Sequence, residues 1–194
     1  IKQHRDQFFK KSKTLGYRSR ASFKLIELND KFRFIKKNTS LLDLGSSPGG
    51  WSQVASKIII SGKILSIDIK HMNPIKNVKF VESDIFDQST KDLINNFFIE
   101  GLDVIISDMA ADTTGNKSLD SIRTNLLSSE ILVLSSKILK PKGVLVSKVF
   151  MGDDFIAVKN LAKSLFNEVN FFKPNSSRNE SKETYLHCKN LKSL

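Results

Sequence analysis

From residue 41 onward, apolar positions fall into short β-type runs separated by stretches with a period near 3.6. Residues 41–45 (Leu-Leu-Asp-Leu-Gly) form a compact apolar run closed by a glycine and predict a buried strand. Over 52–60, Val54, Ala55, Ile58 and Ile59 share one helical face, and Ser61-Gly62 supplies the stop. Runs at 63–68 and 78–81 predict a second and a third strand. Ser89 with Asp92 has the spacing of a capping box, ahead of a helix carrying Leu93, Ile94, Phe97 and Phe98. The run 103–108 predicts a fourth strand. The longest helical period covers 121–139 through Ile122, Leu126, Leu127, Ile131, Leu134 and Ile138, with Pro141 and Gly143 as its stop. A fifth strand follows at 144–149, then a helix marked by Phe155, Val158, Leu161, Ala162 and Leu165, then strands near 168–172 and 183–189. Strands alternating with helix-length periods predict an α/β fold, a mostly parallel doubly wound sheet with helices on both faces. No internal repeat or linker divides the chain. The expected organisation is one domain over 1–194, with a helical extension at 1–40 and the α/β core at 41–194.

That extension changes the picture through its charge. The chain has 194 residues and a formal net charge of +11, from 31 Lys plus Arg against 20 Asp plus Glu. Residues 1–40 hold twelve basic and three acidic side chains, and residues 173–194 hold five and two, whereas 41–172 holds fourteen and fifteen. The excess therefore lies at the two chain ends, which points to a polyanionic partner whose phosphates release counterions to Lys and Arg. A solvated basic tail is the plainer reading. Against it, Phe8, Phe9, Tyr17, Phe23, Leu25, Ile26 and Leu28 interleave with the charges and can pack on a body. No broad apolar face suits a membrane surface, and no run reaches the roughly 18 apolar residues of a spanning helix. One cysteine, Cys188, excludes an internal disulfide framework, and His4, His71 and His187 show no ligand spacing, so no metal is expected. A cytoplasmic monomer is expected; the chain begins at Ile1, and a preceding leader would make the mitochondrial matrix the alternative.

Candidate chemistry begins at Gly45-Ser46-Ser47-Pro48-Gly49-Gly50-Trp51, the turn leaving the first strand. In an open parallel sheet ligands bind beyond the carboxyl ends of the strands, and glycines let backbone approach closely. Asp68, about 20 residues on and ending the second strand, is placed for ribose hydroxyls. The turn lacks the Gly-Lys-Ser/Thr of a P-loop, which disfavours triphosphate hydrolysis, and departs from Gly-x-Gly-x-x-Gly, which weakens a nicotinamide reading. Asp84 follows the third strand and suits an exocyclic amine of a bound base, although a loop or cap aspartate is the simpler account.

In order, these motifs resemble the FtsJ-type (RrmJ) family of RNA ribose 2′-O-methyltransferases, over about Gly16 to Tyr185. The resemblance rests on Gly16-Tyr17-Arg18-Ser19-Arg20-Ala21-Ser22-Phe23-Lys24-Leu25, on Asp43 to Gln53, and on Ser107-Asp108-Met109-Ala110. It continues through Lys148-Val149-Phe150 and through Lys173-Pro174-Asn175-Ser176-Ser177-Arg178 leading to Glu183-Thr184-Tyr185. It implies a Rossmann-like S-adenosylmethionine-dependent methyltransferase, with a seven-stranded sheet and one antiparallel C-terminal strand. The product would be S-adenosylhomocysteine, and the partner ribosomal RNA or a large ribosomal subunit, a uridine being the expected target. The family's Lys–Asp–Lys–Glu set corresponds to Lys24, Asp108, Lys148 and Glu183. The implied cofactor set is Gly45, Ser47, Pro48, Gly49, Gly50, Trp51, Asp68, Asp84, Ile85 and Asp108, with a core anchor the equally simple reading of Trp51. Lys10, Lys11, Lys13, Arg18, Arg20 and Arg178 are the candidate RNA contacts. One departure stands out: where the family has Pro-Asn and then Ser-Gly after Asp-Met-Ala, this chain reads Ala111-Asp112-Thr113-Thr114-Gly115.

Methylating a ribose 2′-hydroxyl needs a base, and an ordinary lysine, with a pKa near 10.4, is a poor one. Burial, a second ammonium and a cationic cofactor would each lower it. Lys148, inside the run Val-Leu-Val-Ser-Lys-Val-Phe, is therefore the expected base, with Lys24 as the second charge, Asp108 as its orienting partner and Glu183 positioning Lys24 or the ribose. Singly, Lys24 shares a polar stripe with Arg20, Glu27 and Lys31 that reads as a solvated helix face, Asp108 reads as a cap, and Glu183 as an edge charge. Transfer RNA as substrate, and a non-catalytic RNA-binding assembly factor, stand as alternatives.

Overall fold

In the computed structural model, residues 2–152 and 154–193 are described, side chains from residue 7 onward. Among the described residues six helices and seven strands follow one another as α1 (Lys2–Thr14), α2 (Ala21–Phe32), β1 (Leu41–Leu44), α3 (Gly50–Ile58), β2 (Ile64–Asp68), β3 (Lys79–Glu82), α4 (Gln88–Phe97), β4 (Leu102–Ser107), α5 (Lys117–Ile138), β5 (Leu139–Phe150), α6 (Phe155–Leu165), β6 (Phe166–Phe172) and β7 (Glu183–Leu191). The strands form one sheet in the order β3-β2-β1-β4-β5-β7-β6. β1 to β5 pair in parallel, and β7 runs antiparallel to both β5 and β6. Only β7 opposes the common direction, as expected.

Alternation along the strands sends apolar side chains to both faces, which is why they read as nearly continuous hydrophobic runs. One core joins Leu42, Leu44, Leu65, Ile67, Ile105, Leu145 and Leu186 to Ile94 of α4, Ile131 and Leu132 of α5, and Val158 and Ala162 of α6. The other joins Leu41, Ile64, Val104, Ile106, Val144, Val146 and Tyr185 to Leu25 and Leu28 of α2 and Trp51, Val54 and Ala55 of α3. Leu25 and Leu28 are fully buried, worth about 1.5–3 kcal/mol each, so α2 is part of the body rather than a tail. α1 touches it through Phe8, 5.4 Å from the Phe23 ring.

Three expectations of local structure need correction. α4 starts at Gln88, one residue before Ser89, and its N-cap Asp87 makes no side-chain cap, so no capping box forms. α5 starts at Lys117 because Asn116 accepts from the Ser118 and Leu119 N–H groups, satisfying donors the first turn leaves open. α5 ends at Ile138, ahead of Pro141 and Gly143, but the strand expected at 144–149 already begins at Leu139, pairs there with Leu102, and rejoins β4 at Val104↔Val144. The register shift lets Pro141 sit at a bulge, where its missing N–H breaks no ladder bond.

Candidate active site

The strand order reverses between β1 and β4, and the loops leaving these two strands are neighbours at their carboxyl ends. In such sheets this is where ligands bind. The β1–α3 loop turns sharply. Gly45 (φ +71°) and Gly49 (φ +104°) sit in the left-handed region. A Cβ on Gly45 would lie 2.2 Å from Met109 Cγ, beyond β4, and one on Gly50 would lie 2.2 Å from Ser19 Oγ. The glycines are thus required by approaching protein segments, which differs from the expected clearance for a ligand. The loop is tied to Asp68 at the end of β2. Ser47 N–H donates to Asp68 Oδ2 and Lys70 N–H to Oδ1, each at 2.8 Å, and the Ser47 hydroxyl donates to the His71 carbonyl (3.1 Å). Asp68 is nearly buried, and each oxygen keeps a second lone pair.

Two features of this loop await a partner. The N–H groups of Gly50, Trp51 and Ser52 open α3 and have no intrahelical acceptor by helix geometry. Ser46 Oγ is buried without a hydrogen-bond partner. The Trp51 ring is in the α2–α3 core, 5.6 Å from Tyr185, and its indole N–H donates to Ala21 O (2.8 Å), so only its backbone faces the loop. Asp84 is exposed and its Oδ1 accepts from Phe86 N–H (2.9 Å), while Ile85 is in the core. Beneath the loop lies a carboxyl the sequence reading did not single out. Asp43 Oδ2 accepts from the Ser52 hydroxyl at 2.5 Å, which in turn bonds Ser66 Oγ at 2.7 Å. Burial, with Asp108 and Asp68 nearby and the Ser52 bond opposing, pushes its pKa up to about 7.

Beside this loop, four charged groups converge from four parts of the chain. Lys148 on β5 reaches Asp108 Oδ1 (2.8 Å), donates to the Asp108 carbonyl (2.7 Å), and lies 3.8 Å from Glu183 Oε2. Lys24 on α2 reaches Glu183 Oε1 (2.7 Å) and lies 3.9 Å from Asp108 Oδ1. Tyr185, directly across the ladder from Lys148, donates its hydroxyl to Asp108 Oδ1 at 2.5 Å. Glu183 is two residues earlier on the same face of β7 and accepts from Ser177 Oγ (2.9 Å). Tyr185 and Ser177 were missed as site residues, although the i, i+2 spacing from Glu183 is visible in the sequence.

The electrostatics correct one expectation. Burial alone would lower the Lys148 pKa, but the Asp108 and Glu183 carboxylates outweigh it and hold the ammonium above its ordinary value. Burial likewise pushes Asp108 up, and Lys148 and Lys24 overcome it, leaving the carboxyl below its usual range. Burial, then Asp108 and Glu183, drive the Tyr185 hydroxyl well above 10, so it is a fixed donor. The two lysines and two carboxyl groups of this cluster pair with one another.

Of the polar stripe of α2 only Lys31 is exposed, and Arg20, Lys24 and Glu27 are partly buried against protein. Glu27 accepts from the N–H groups of Asn175 (2.6 Å) and Ser176 (3.0 Å), and Arg20 donates to the Ser176 carbonyl (2.7 Å). These bonds hold the loop that carries Ser177. Arg20 and Arg18 therefore both spend donors on main-chain carbonyls, whereas Lys10, Lys11, Lys13 and Arg178 are exposed. Lys13 lies 4.6 Å over the Phe9 ring and Lys11 5.3 Å over Phe23. The divergent 111–115 loop is tied to α5: Thr114 donates twice to Asp120 Oδ1 (2.7 Å each), and Arg123 reaches Asp112 O (3.2 Å). Among the described residues no group of three or more His, Cys, Asp or Glu could hold a metal, and no helix is long and apolar enough to cross a membrane. The side chain of His4 lies outside those described.

Comparison with known proteins agrees with this geometry. The FtsJ-like methyltransferase family model matches residues 17–191. The Ribosomal RNA large subunit methyltransferase E of Pelagibacter ubique is 44% identical over 191 residues, covering 98% of this chain and 94% of that protein. The protein of the same name from Rickettsia akari is 42% identical over 197 residues, covering 98% and 87%. The crystal structure of a ribosomal RNA methyltransferase from Plasmodium falciparum superposes with a TM-score of 0.79 at 33% identity, covering 90% of this chain and 98% of that one. Human methyltransferase-like protein 13, solved in complex with SAH, shares the fold at 16% identity and a TM-score of 0.58. A charged cluster beside a glycine-rich loop at the switch point of a 3-2-1-4-5-7-6 sheet thus has a family: this chain belongs to the FtsJ-like methyltransferases.

Proposed function

We propose that the protein methylates a ribose 2′-hydroxyl of large-subunit ribosomal RNA, a uridine being the expected target, with S-adenosylmethionine as methyl donor and S-adenosylhomocysteine as product. The single observation that carries this reading is the convergence of Lys24, Asp108, Lys148 and Glu183 within 4 Å contacts beside the β1–α3 loop. The relatives' names supply the RNA class. The residues present fit the donor: the orphaned Ser46 hydroxyl, the open N–H groups of α3 and the Asp68 carboxylate suit, respectively, polar and anionic groups and a ribose diol. When bound, the donor would supply an electrophilic methyl on a sulfonium. Asp84 would face its base, and Ile85 and the Trp51 backbone its surroundings.

The chain's own groups then do the following. Lys24 and Glu183 hold the 2′-oxygen in line, since two bound reactants gain most from alignment. Lys148 accepts the hydroxyl proton. It can do so only after losing one of its own to solvent before the RNA closes over it, and a cation bound beside Asp108 would offset the carboxylates that hold its pKa up. Asp108 keeps Lys148 oriented, while Tyr185 keeps Asp108 oriented. No step of this reading uses a metal. Lys10, Lys11, Lys13 and Arg178 meet RNA phosphates, and the protein acts as a monomer in the cytoplasm, where ribosomes are its substrate. Mapping ribose methylation in total RNA from cells lacking the protein tests this. Loss of one 2′-O-methyl in large-subunit RNA, restored by the wild type and not by Lys148→Ala, is expected. Loss confined to transfer RNA would move the substrate, and an unchanged map would end the enzymatic reading.

A further inference from the structure

Segment 16–22, which links α1 to the first residues of α2, wraps the opening of α3 and the β1–α3 loop, and Arg18 is its centre. Arg18 Nη1 donates to the carbonyls of Asn73 (2.6 Å) and Pro48 (3.3 Å), and Nη2 to that of Pro74 (2.6 Å). Its backbone N–H donates to Gln53 Oε1 on α3 (3.0 Å), and Gln53 Nε2 returns a bond to the Gly16 carbonyl (2.8 Å). Two further bonds anchor the same segment, from Ser22 Oγ to Gly50 O (3.0 Å) and from the Trp51 indole to Ala21 O. Pro48 lies in the loop after β1, and Asn73 and Pro74 lie in the loop after β2, just past Asp68. One planar guanidinium therefore bridges the two loops on either side of that carboxylate. A Cβ on Gly49 would come within 2.9 Å of Arg18 Nη1, so the glycine leaves room for this approach. Three donors already committed to backbone carbonyls make Arg18 a poor phosphate ligand, despite its place in the basic segment.

We propose that Arg18 is a positioning residue of the cofactor site: its guanidinium clamps the loops after β1 and β2 together, fixing Ser46, Ser47 and Asp68 for the donor, and it does not contact RNA. The inference rests on the reading that this loop holds S-adenosylmethionine. A lysine ammonium lacks the rigid fork and cannot span three carbonyls.

The test uses full-length Arg18→Lys, with S-adenosylhomocysteine alone as the calorimetric probe and an RNA oligonucleotide titrated across a salt series. The expected result is a Kd for S-adenosylhomocysteine raised about tenfold or more. KM for S-adenosylmethionine should rise in parallel, with kcat at saturating cofactor within about twofold of wild type. The slope of RNA affinity against salt should not change. An S-adenosylhomocysteine Kd within twofold of wild type overturns the proposal, and so does a slope smaller by about one, the mark of a lost phosphate contact. If the wild type itself does not bind the probe, the cofactor reading falls too, which separates the two failures. Hydrogen exchange on the wild type covers a variant that does not fold. S-adenosylhomocysteine should slow exchange in 16–22 and 72–75 together with 45–51, and slowing confined to 45–51 overturns the clamp.

Discussion

Replacing Lys148 with methionine removes one ammonium from the cluster while nearly preserving volume. The cost can be worked from its neighbours. Asp108 loses its 2.8 Å ion pair and keeps Lys24 at 3.9 Å and the Tyr185 hydroxyl at 2.5 Å. Breaking a buried pair on one side costs about 3–5 kcal/mol, and the two remaining partners place this case near 3 kcal/mol. For a chain of this size that corresponds to a fall in Tm of about 6–12 °C. The size of the loss also depends on pH. In the wild type the Asp108 pKa is held below its unfolded value, so its contribution is present above that value and lost as pH falls through the folded one. In the variant the burial that Lys148 had offset prevails and the folded pKa rises. The contribution is then greatest below the unfolded pKa and lost as pH rises, so Lys148→Met should lose more stability at pH 7.5 than at pH 4.5. Urea unfolding at the two pH values measures this, and single-turnover transfer of a labelled methyl group measures chemistry. Transfer should fall by roughly 10²–10⁴-fold, the usual worth of a positioned base, with S-adenosylhomocysteine still bound. Transfer within tenfold of wild type, or equal destabilisation at both pH values, would refute the reasoning.

Three further outcomes are expected. Reversing Lys10, Lys11 and Lys13 to glutamate should weaken RNA binding and reduce its salt slope by about 2–3, with cofactor affinity unchanged; an unmoved slope would make these charges bystanders. Glu27→Ala leaves the Asn175 and Ser176 N–H groups without their acceptor, costing about 1–3 kcal/mol, and should lower kcat through the Ser177–Glu183 contact while sparing cofactor binding. A wild-type kcat would show that the loop holds its place without it. His187, stacked 4.0 Å from the Phe32 ring, has its pKa lowered by burial to about 4. Because that lies below the unfolded value near 6.5, its stabilising contribution is present above 6.5 and lost as pH falls toward 4, on the order of 3 kcal/mol in all. His187→Phe should remove this limb from the pH–stability profile measured by denaturant unfolding, and a profile unchanged by the substitution would exclude it.

How legible was this protein in its sequence? Strand and helix identities were, because runs such as 41–45 and 103–108 are apolar on both faces, while the helices carry a period of 3.6. Element ends were less so. Pro141 and Gly143 look the same after a helix as they do inside a bulge, and only pairing with β4 distinguishes the two. In the site, Asp68 and Lys148 stood out by their position on strands and Asp108 and Glu183 only through the family resemblance, and the protonation of the cluster was not legible at all. The Lys148 pKa depends on two carboxylates that come from distant residues, one of them on a strand running the opposite way. Charge counting was least informative at Arg18 and Arg20. A guanidinium in a basic segment reads as a phosphate ligand until the carbonyls of Pro48, Asn73, Pro74 and Ser176 are found against it.

What the chain by itself determined is therefore the set of elements and the chemical inventory, since both follow from local periodicity and side-chain type. What only the tertiary structure decided is which charges neutralise one another and which remain for a ligand. Ion pairs and main-chain bonds fall off within a few ångströms, and those distances are fixed by how α2 and β7 meet the carboxyl ends of β4 and β5.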